Sequence, residues 1–269
     1  MISSQAPIGI IDSGIGGFTV VSEIQKLLPN ESIIYIGDNR NCPYGNRDEK
    51  DISKLTKKML DFLKTKNTKA VAIACNTISS ALNECKNDYN FKIESIIYPT
   101  VKYIQMQNIK EVGIIATEFT VKTGYYLKLL NNISNDIKVY SQSSPILATL
   151  IDNGDFSSSE IDKEIKTQID KLLTQSPTIE NIILACTHYP IIIERFQKFY
   201  PQINFINPAY EQAMSVCNYL KSTDNLNATA SPCFEVYATG PTSPIDLVCQ
   251  KLNINPPQTI SRINLDTIK

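Results

Sequence analysis

Two cysteines lie in closely similar sequence surroundings. The segments AVAIACNTISS at 70–80 and IILACTHYPII at 182–192 each run from an apolar stretch through Ala-Cys into a Thr-containing helix start. A cysteine placed there lies beside unpaired backbone N–H groups and the positive end of a helix dipole, and both stabilise a thiolate. Starting from a pKa of about 8.5, such a thiol can ionise near neutral pH and act as a base or nucleophile. Cys75 and Cys186 are therefore predicted to be reactive, although either one alone would be interpreted as a core cysteine.

The residues that follow the two cysteines are also suited to a site. His188 is the only histidine and lies two residues beyond Cys186, where it could orient or ionise that thiol. Asn76 and Thr77 are natural capping residues for the helix after Cys75. These polar groups would surround both sulfurs at the ends of their strands.

A glycine-rich segment, D-S-G-I-G-G at 12–17, follows the first apolar run and precedes a helix. Its glycines would let the backbone approach a ligand closely, with Asp12 and Ser13 beside it. The dinucleotide-binding fingerprint G-x-G-x-x-G is an alternative, because the acidic residue that it requires about 20 residues further on would be Asp38. That fingerprint fails at its sixth position, where Thr19 replaces glycine. A simple strand-to-helix turn is a third interpretation.

Two more segments are candidate ligand contacts. The residues at 38–45, DNRNCPYG, have turn chemistry, and Tyr44 with the Gly45 backbone could close over a small polar ligand or form an ordinary loop. Thr117 and Thr120 follow an apolar run and could bind a carboxylate at a helix start, or simply cap that helix.

Short apolar runs alternate with longer segments of helical spacing, which predicts an α/β fold with mainly parallel sheets flanked by helices. The predicted strands are 7–12, 32–37, 69–74, 92–97, 111–116, 137–141, 181–185, 203–206 and 234–239. The predicted helices are 17–28, 48–66, 77–88, 99–108, 118–131, 144–153, 158–175, 189–199, 209–221 and 242–252. The repeated strand-cysteine unit further predicts two similar lobes that face one cleft holding the active site.

Composition restricts the class of protein. A chain of 269 residues with a formal charge of −1 has no overall field that would attract nucleic acid or an anionic membrane. The first residues lack a secretory pattern, and no run approaches the roughly 18 apolar residues of a membrane span, so a cytoplasmic protein is predicted. Seven cysteines without a close pair and a single histidine argue against a disulfide framework and a metal site.

Taken together, the motifs resemble the glutamate racemase family over most of the chain. They occur in the family's order: D-S-G-I-G-G, the D-x-x-x-x-P-Y-G of 38–45, A-C-N-T at 74–77, A-T-x-x-T-V at 116–121 and C-T-H-Y-P at 186–190. The resemblance implies two pseudo-symmetric lobes, the first spanning 1–98 plus 209–269 and the second 99–208. It also implies a bacterial homodimer that uses no cofactor and supplies D-glutamate for peptidoglycan.

The same resemblance assigns roles by position. Cys75 and Cys186 match the two catalytic thiols, with Asp12 assisting the first and His188 the second. Racemisation removes the α-proton from one face and delivers another to the opposite face, so two groups are needed. By analogy with the family, Cys186 deprotonates L-glutamate. The implied substrate contacts are Asp12, Ser13, Tyr44, Gly45, Asn76, Thr77, Thr117, Thr120, Thr187 and His188.

Some positions depart from the family pattern. Ser144-Pro145 stands where Cys-Pro is common, and Asp152 stands where a Glu usually supports the second thiol. Because Asp is one methylene shorter, the sequence leaves open whether Asp152 contacts the pair formed by Cys186 and His188. An aspartate racemase of the same superfamily is the nearest alternative. A non-enzymatic module that inhibits DNA gyrase is another, which the near-neutral charge does not favour.

Overall fold

The computed structural model describes residues 2–81, 89–228 and 231–267. Within these ranges the strands are β1 (Ile8–Asp12), β2 (Ile33–Gly37), β3 (Ala70–Ile73), β4 (Lys92–Ser95), β5 (Glu111–Ala116), β6 (Lys138–Ser143), β7 (Asn181–Ala185), β8 (Asn204–Ile206), β9 (Phe234–Ala238) and β10 (Thr259–Arg262). The helices are α1 (Phe18–Leu27), α2 (Glu49–Thr65), α3 (Asn76–Ala81), α4 (Ile97–Met106), α5 (Glu118–Thr123), α6 (Tyr125–Ile133), α7 (Leu147–Asp152), α8 (Ser159–Gln175), α9 (Ile193–Phe199), α10 (Pro208–Ser222) and α11 (Pro244–Leu252).

The strands form two parallel sheets. The six-stranded sheet has the order β10-β9-β2-β1-β3-β4, and the four-stranded sheet has the order β6-β5-β7-β8. Every pairing between the described strands is parallel. Strands such as β1 and β3 are apolar and buried along their whole length because helices cover both faces. The predicted α/β class, with mainly parallel sheets flanked by helices, is confirmed.

The two sheets repeat the same local order. In the larger sheet β1 lies between β2 and β3, and in the smaller sheet β5 lies between β6 and β7. The carboxyl ends of neighbouring parallel strands lie at the same sheet edge, where α/β proteins build their binding sites. Side chains from both sheets, including Ile10 of β1 and Ile114 of β5, belong to one continuous hydrophobic cluster.

Two predicted helices differ from the structure, and one strand was not predicted. The predicted helix 118–131 is two helices, α5 and α6, because Gly124 adopts a left-handed conformation with φ of 60°. The predicted helix 189–199 begins as a 3-10 turn at Tyr189–Ile192. Strand β10 was missed because its sequence, TISR, is short and largely exposed at the sheet edge. Residues 82–88 of the predicted helix 77–88 lie outside the described residues.

No helix within the described ranges combines the length and the apolar character needed to span a membrane.

Candidate active site

Both cysteines open into one cavity. Cys75 lies between β3 and the first residue of α3, and Cys186 directly follows β7. Each is 5% exposed. The cavity is small, with a volume of ≈ 20 Å³. Its lining residues are Ser13, Cys42, Pro43, Tyr44, Gly45, Cys75, Asn76, Thr77, Thr117, Ala148, Cys186, Thr187 and His188.

The surroundings of Cys75 favour a neutral thiol. Its sulfur lies 3.6 Å from the Ser13 hydroxyl oxygen and receives a hydrogen bond from the Ile78 backbone N–H. Burial, together with the nearby Asp12 carboxylate, raises the pKa of Cys75 to about 12 despite those two donors. The prediction that this thiol ionises near neutral pH is therefore wrong for Cys75, because desolvation outweighs the helix start.

The surroundings of Cys186 are different, since His188 Nδ1 lies 3.6 Å from the Cys186 sulfur. The other ring nitrogen, Nε2, lies 2.9 Å from Asp152 Oδ1. Burial opposes charge on the ring, but the hydrogen bonds to Asp152 and Cys186 raise the pKa of His188 well above its ordinary value. These hydrogen bonds therefore favour the charged form of the ring, which would stabilise negative charge on the sulfur.

Asp152 contacts His188 directly, which answers the question that its shorter side chain left open. Oδ1 also accepts a hydrogen bond of 3.0 Å from the Ile15 backbone N–H. Burial opposes its charge, yet the bond to His188 holds the pKa of Asp152 below its usual value. A long side chain is unnecessary because α7 ends against the glycine turn: a Cβ on Gly14 would lie 2.4 Å from Asp152 Oδ1.

The glycines of the 12–17 segment allow the two sheets to meet. A Cβ on Gly16 would lie 2.3 Å from Thr187 Oγ1 and 2.8 Å from the His188 backbone nitrogen. The turn is held by the Tyr35 hydroxyl, which donates to the Gly14 carbonyl at 2.7 Å. At Gly14 and Gly16 the protein's own groups therefore occupy the space that a dinucleotide phosphate close to these glycines would need.

Asp12 lies behind the cavity wall. It is fully buried, and its carboxylate accepts hydrogen bonds from the Gly14 backbone N–H at 2.9 Å and from Thr187 Oγ1 at 3.0 Å. Burial raises the pKa of Asp12. Asp12 is linked to the cavity by its hydrogen bond with Thr187, which lines that cavity.

Amide and hydroxyl groups form the rest of the wall. Asn76 is 2% exposed, and its Nδ2 has no hydrogen-bond partner among the described residues. Thr77 Oγ1 lies 3.0 Å from Thr117 Oγ1 and 3.5 Å from Thr120 Oγ1. Thr117 is both a cavity-lining residue and the N-cap of α5, so its two predicted roles are compatible. The residues of this wall thus contribute several neutral hydrogen-bonding groups.

The predicted 38–45 loop forms one side of the cavity. The Tyr44 hydroxyl donates to Asp38 Oδ2 at 2.5 Å, which holds the ring and the adjacent Gly45 in place. Sequence reasoning missed Cys42, Pro43 and Ala148 as lining residues. Cys42 could have been found from its position within the same loop, whereas Ala148 carries no chemical signal.

Comparison with known proteins identifies the class. The Asp/Glu/Hydantoin racemase family model matches residues 8–214. Glutamate racemase 1 of Caldanaerobacter subterraneus is 35% identical over 221 residues, covering 81% of this chain and 82% of the relative. The crystal structure of Francisella tularensis glutamate racemase in complex with D-glutamate has a TM-score of 0.89 at 30% identity and covers 98% of this chain and 99% of that chain. A Bacillus anthracis glutamate racemase has the same TM-score and identity, covering 97% and 98%.

The chain therefore belongs to the Asp/Glu/Hydantoin racemase family, and the resemblance predicted from its motifs is confirmed. Within that family it is an isomerase of the amino-acid racemase class.

Proposed function

We propose that this racemase interconverts L-glutamate and D-glutamate without an added cofactor, with Cys75 and Cys186 as the two acid-base groups. One observation carries the proposal: the two sulfurs open into one cavity from central strands of two different sheets. A bound α-carbon between them would have a thiol on either side. Removal of the proton from one face and delivery to the other then needs no movement of a single base.

The unequal surroundings of the two sulfurs indicate which one acts as the base and which as the acid when L-glutamate binds. Cys75 holds its proton, and His188 supports negative charge on Cys186. The Cys186 thiolate takes the α-proton of L-glutamate, and the Cys75 thiol gives its proton to the opposite face. This leaves Cys186 as a thiol and Cys75 as a thiolate, which is the state needed to convert D-glutamate back.

The wall of the cavity supplies the remaining stabilisation. Positioned acid-base catalysis contributes about 10²–10⁴-fold, or roughly 3–5 kcal/mol, at each proton transfer. That is too little for so weak a carbon acid, so fixed donors must stabilise the developing charge. The unpartnered Asn76 amide and the hydroxyls of Thr77 and Thr117 support this role, since glutamate brings two carboxylates that need donors.

The test is circular dichroism of the purified protein with L-glutamate and no added cofactor. The optical signal should decay to zero, and it should decay much more slowly with L-aspartate. In deuterated water the product should carry α-deuterium. A stable signal with glutamate and a decaying one with aspartate would overturn the substrate assignment, whereas product that retains all its protium would overturn the thiol mechanism.

We also propose that the enzyme works in the bacterial cytoplasm and supplies D-glutamate for peptidoglycan. The similarity to glutamate racemases supports glutamate as the substrate. Expression of the chain in a bacterium that requires D-glutamate should restore growth on medium without it. A catalytically active protein that fails to restore growth would contradict the pathway.

The proposed lobes are 1–98 plus 209–269 and 99–208, since the strands of each sheet fall within one of these sets.

The proposed homodimer is supported by exposed apolar side chains on α4, where Tyr98 is 60% and Met106 is 73% exposed. Sedimentation velocity should give twice the monomer mass, and a monomer at micromolar concentration would rule the dimer out.

A further inference from the structure

A buried tyrosine of α6 reaches across to the helix that follows Cys75. The Tyr126 hydroxyl donates a hydrogen bond of 2.8 Å to Asn76 Oδ1. Both side chains are 2% exposed, and the residues lie 50 positions apart in the chain. Tyr126 itself is not among the residues that line the cavity.

An amide has two ends of almost the same shape but opposite hydrogen-bonding character. The bond from Tyr126 fixes the oxygen end of Asn76 toward α6. The nitrogen end is then left buried and without a partner among the described residues, on a side chain that belongs to the cavity lining. A buried donor without a partner costs free energy, which a ligand that accepts from it would recover.

We propose that Tyr126 is a positioning residue for the reaction: it holds the Asn76 amide so that the Nδ2 N–H donates to a carboxylate oxygen of the substrate. This inference rests on the proposed function, which supplies the carboxylate. Burial raises the pKa of Tyr126, so its hydroxyl remains a donor over the working pH range.

Tyr126→Phe keeps the ring and removes only the hydroxyl. Without it the amide can turn its oxygen toward the carboxylate, so the Kd for D-glutamate, measured by calorimetry, and the KM should rise about tenfold or more, as expected for loss of a hydrogen bond to a charged group. The turnover number should change less than KM. Tyr125→Phe, at the neighbouring half-buried position, is the matched control and should bind like the wild type.

A double-mutant cycle separates positioning from packing. In an Asn76→Ala background, Tyr126→Phe should cause no further loss of D-glutamate binding. A similar loss in both backgrounds, or a Tyr126→Phe Kd within about twofold of the wild type, overturns the inference. If Tyr126→Phe does not fold, Asn76→Asp decides, because it replaces only the N–H end; unchanged binding would then overturn it. A wild-type protein that neither binds nor racemises glutamate would instead overturn the proposed function itself.

Discussion

The two cysteine sites share a sequence pattern but not an electrostatic environment. Cys75 lies with Ser13 and near the carboxylate of Asp12, and burial raises its pKa to about 12. Cys186 lies beside the ring of His188, and Asp152 contacts the other ring nitrogen and favours the charged form of that ring. The same unit of strand, cysteine and threonine therefore has a carboxylate near one sulfur and an imidazole ring beside the other.

This difference teaches that the repeat places the sulfurs, while burial and carboxylates distant in sequence make their electrostatic surroundings unequal. Asp12 lies 63 positions before Cys75 and Asp152 lies 34 positions before Cys186. The equilibrium constant between the two enantiomers is 1. The reaction therefore needs one thiol proton, which either of the two sulfurs can hold. Unequal surroundings decide which sulfur holds it at rest.

The largest expected effect comes from removing either sulfur. Cys75→Ala and Cys186→Ala should each lower racemisation by at least about 10³-fold, because each variant lacks the group for one face. Melting temperature should stay close to the wild-type value. Cys217→Ala, which removes a buried cysteine on α10, is the matched control and should remain active.

The same variants sharpen the assignment of faces. In deuterated water Cys75→Ala should exchange the α-proton of L-glutamate through the remaining Cys186, without inversion, and Cys186→Ala should do so only with D-glutamate. NMR of each enantiomer would detect this exchange. Exchange of the same enantiomer by both variants would contradict the opposed arrangement.

The next largest loss of activity is expected from substitutions of the residues that contact the two thiols. His188→Gln should lower kcat/KM by about 10²-fold, because it removes the positive charge beside Cys186. The loss should be equal for both enantiomers, since their equilibrium constant is fixed. Ser13→Ala, on the Cys75 side, should cost only a few-fold because a neutral hydroxyl is lost. Equal losses in the two variants, from coupled assays of both directions, would refute the electrostatic difference.

A smaller effect is expected where the sheets meet. Gly16→Ala would place a Cβ 2.8 Å from the His188 backbone nitrogen, so it should lower activity about tenfold and destabilise the fold by roughly 1–3 kcal/mol. Gly14→Ala meets the end of the Asp152 side chain instead, which can move more easily. Urea unfolding and initial rates would compare the pair, and a greater loss in Gly14→Ala would contradict this order.

The smallest effect is a pH dependence of stability. The pKa of His188 is about 6.5 in the unfolded chain and well above its ordinary value in the fold. Its stabilising contribution is therefore complete below about pH 6.5 and is lost as pH rises toward the folded pKa. The free energy of unfolding, compared with that of His188→Gln, should show this decline.

Asp152→Asn should lower the pKa of His188, because it removes the carboxylate that stabilises the charged ring. The chain has one histidine, so NMR titration of its imidazole is unambiguous. An unchanged titration would show that Asp152 does not set the charge of His188.

Much of the site was predictable because its parts are local in sequence. Ser13, Tyr44, Asn76, Thr117 and Thr187 all line the cavity as predicted, each at a strand end or in the loop that follows. The error for Cys75 arose because a helix start is visible in sequence, whereas the burial that raises its pKa is not. Tyr126 had no sequence signal, since its role depends on a contact across 50 residues.

The sequence by itself determined the alternation of apolar strands and helices, the placement of two cysteines at strand ends and the family to which the chain belongs. These features follow from periodicity and short motifs, which a linear reading can detect. Only the tertiary structure decided the charges at the site. Desolvation and the close approach of Asp12, His188 and Asp152 depend on how the two sheets pack, and the glycines at 14 and 16 permit that packing.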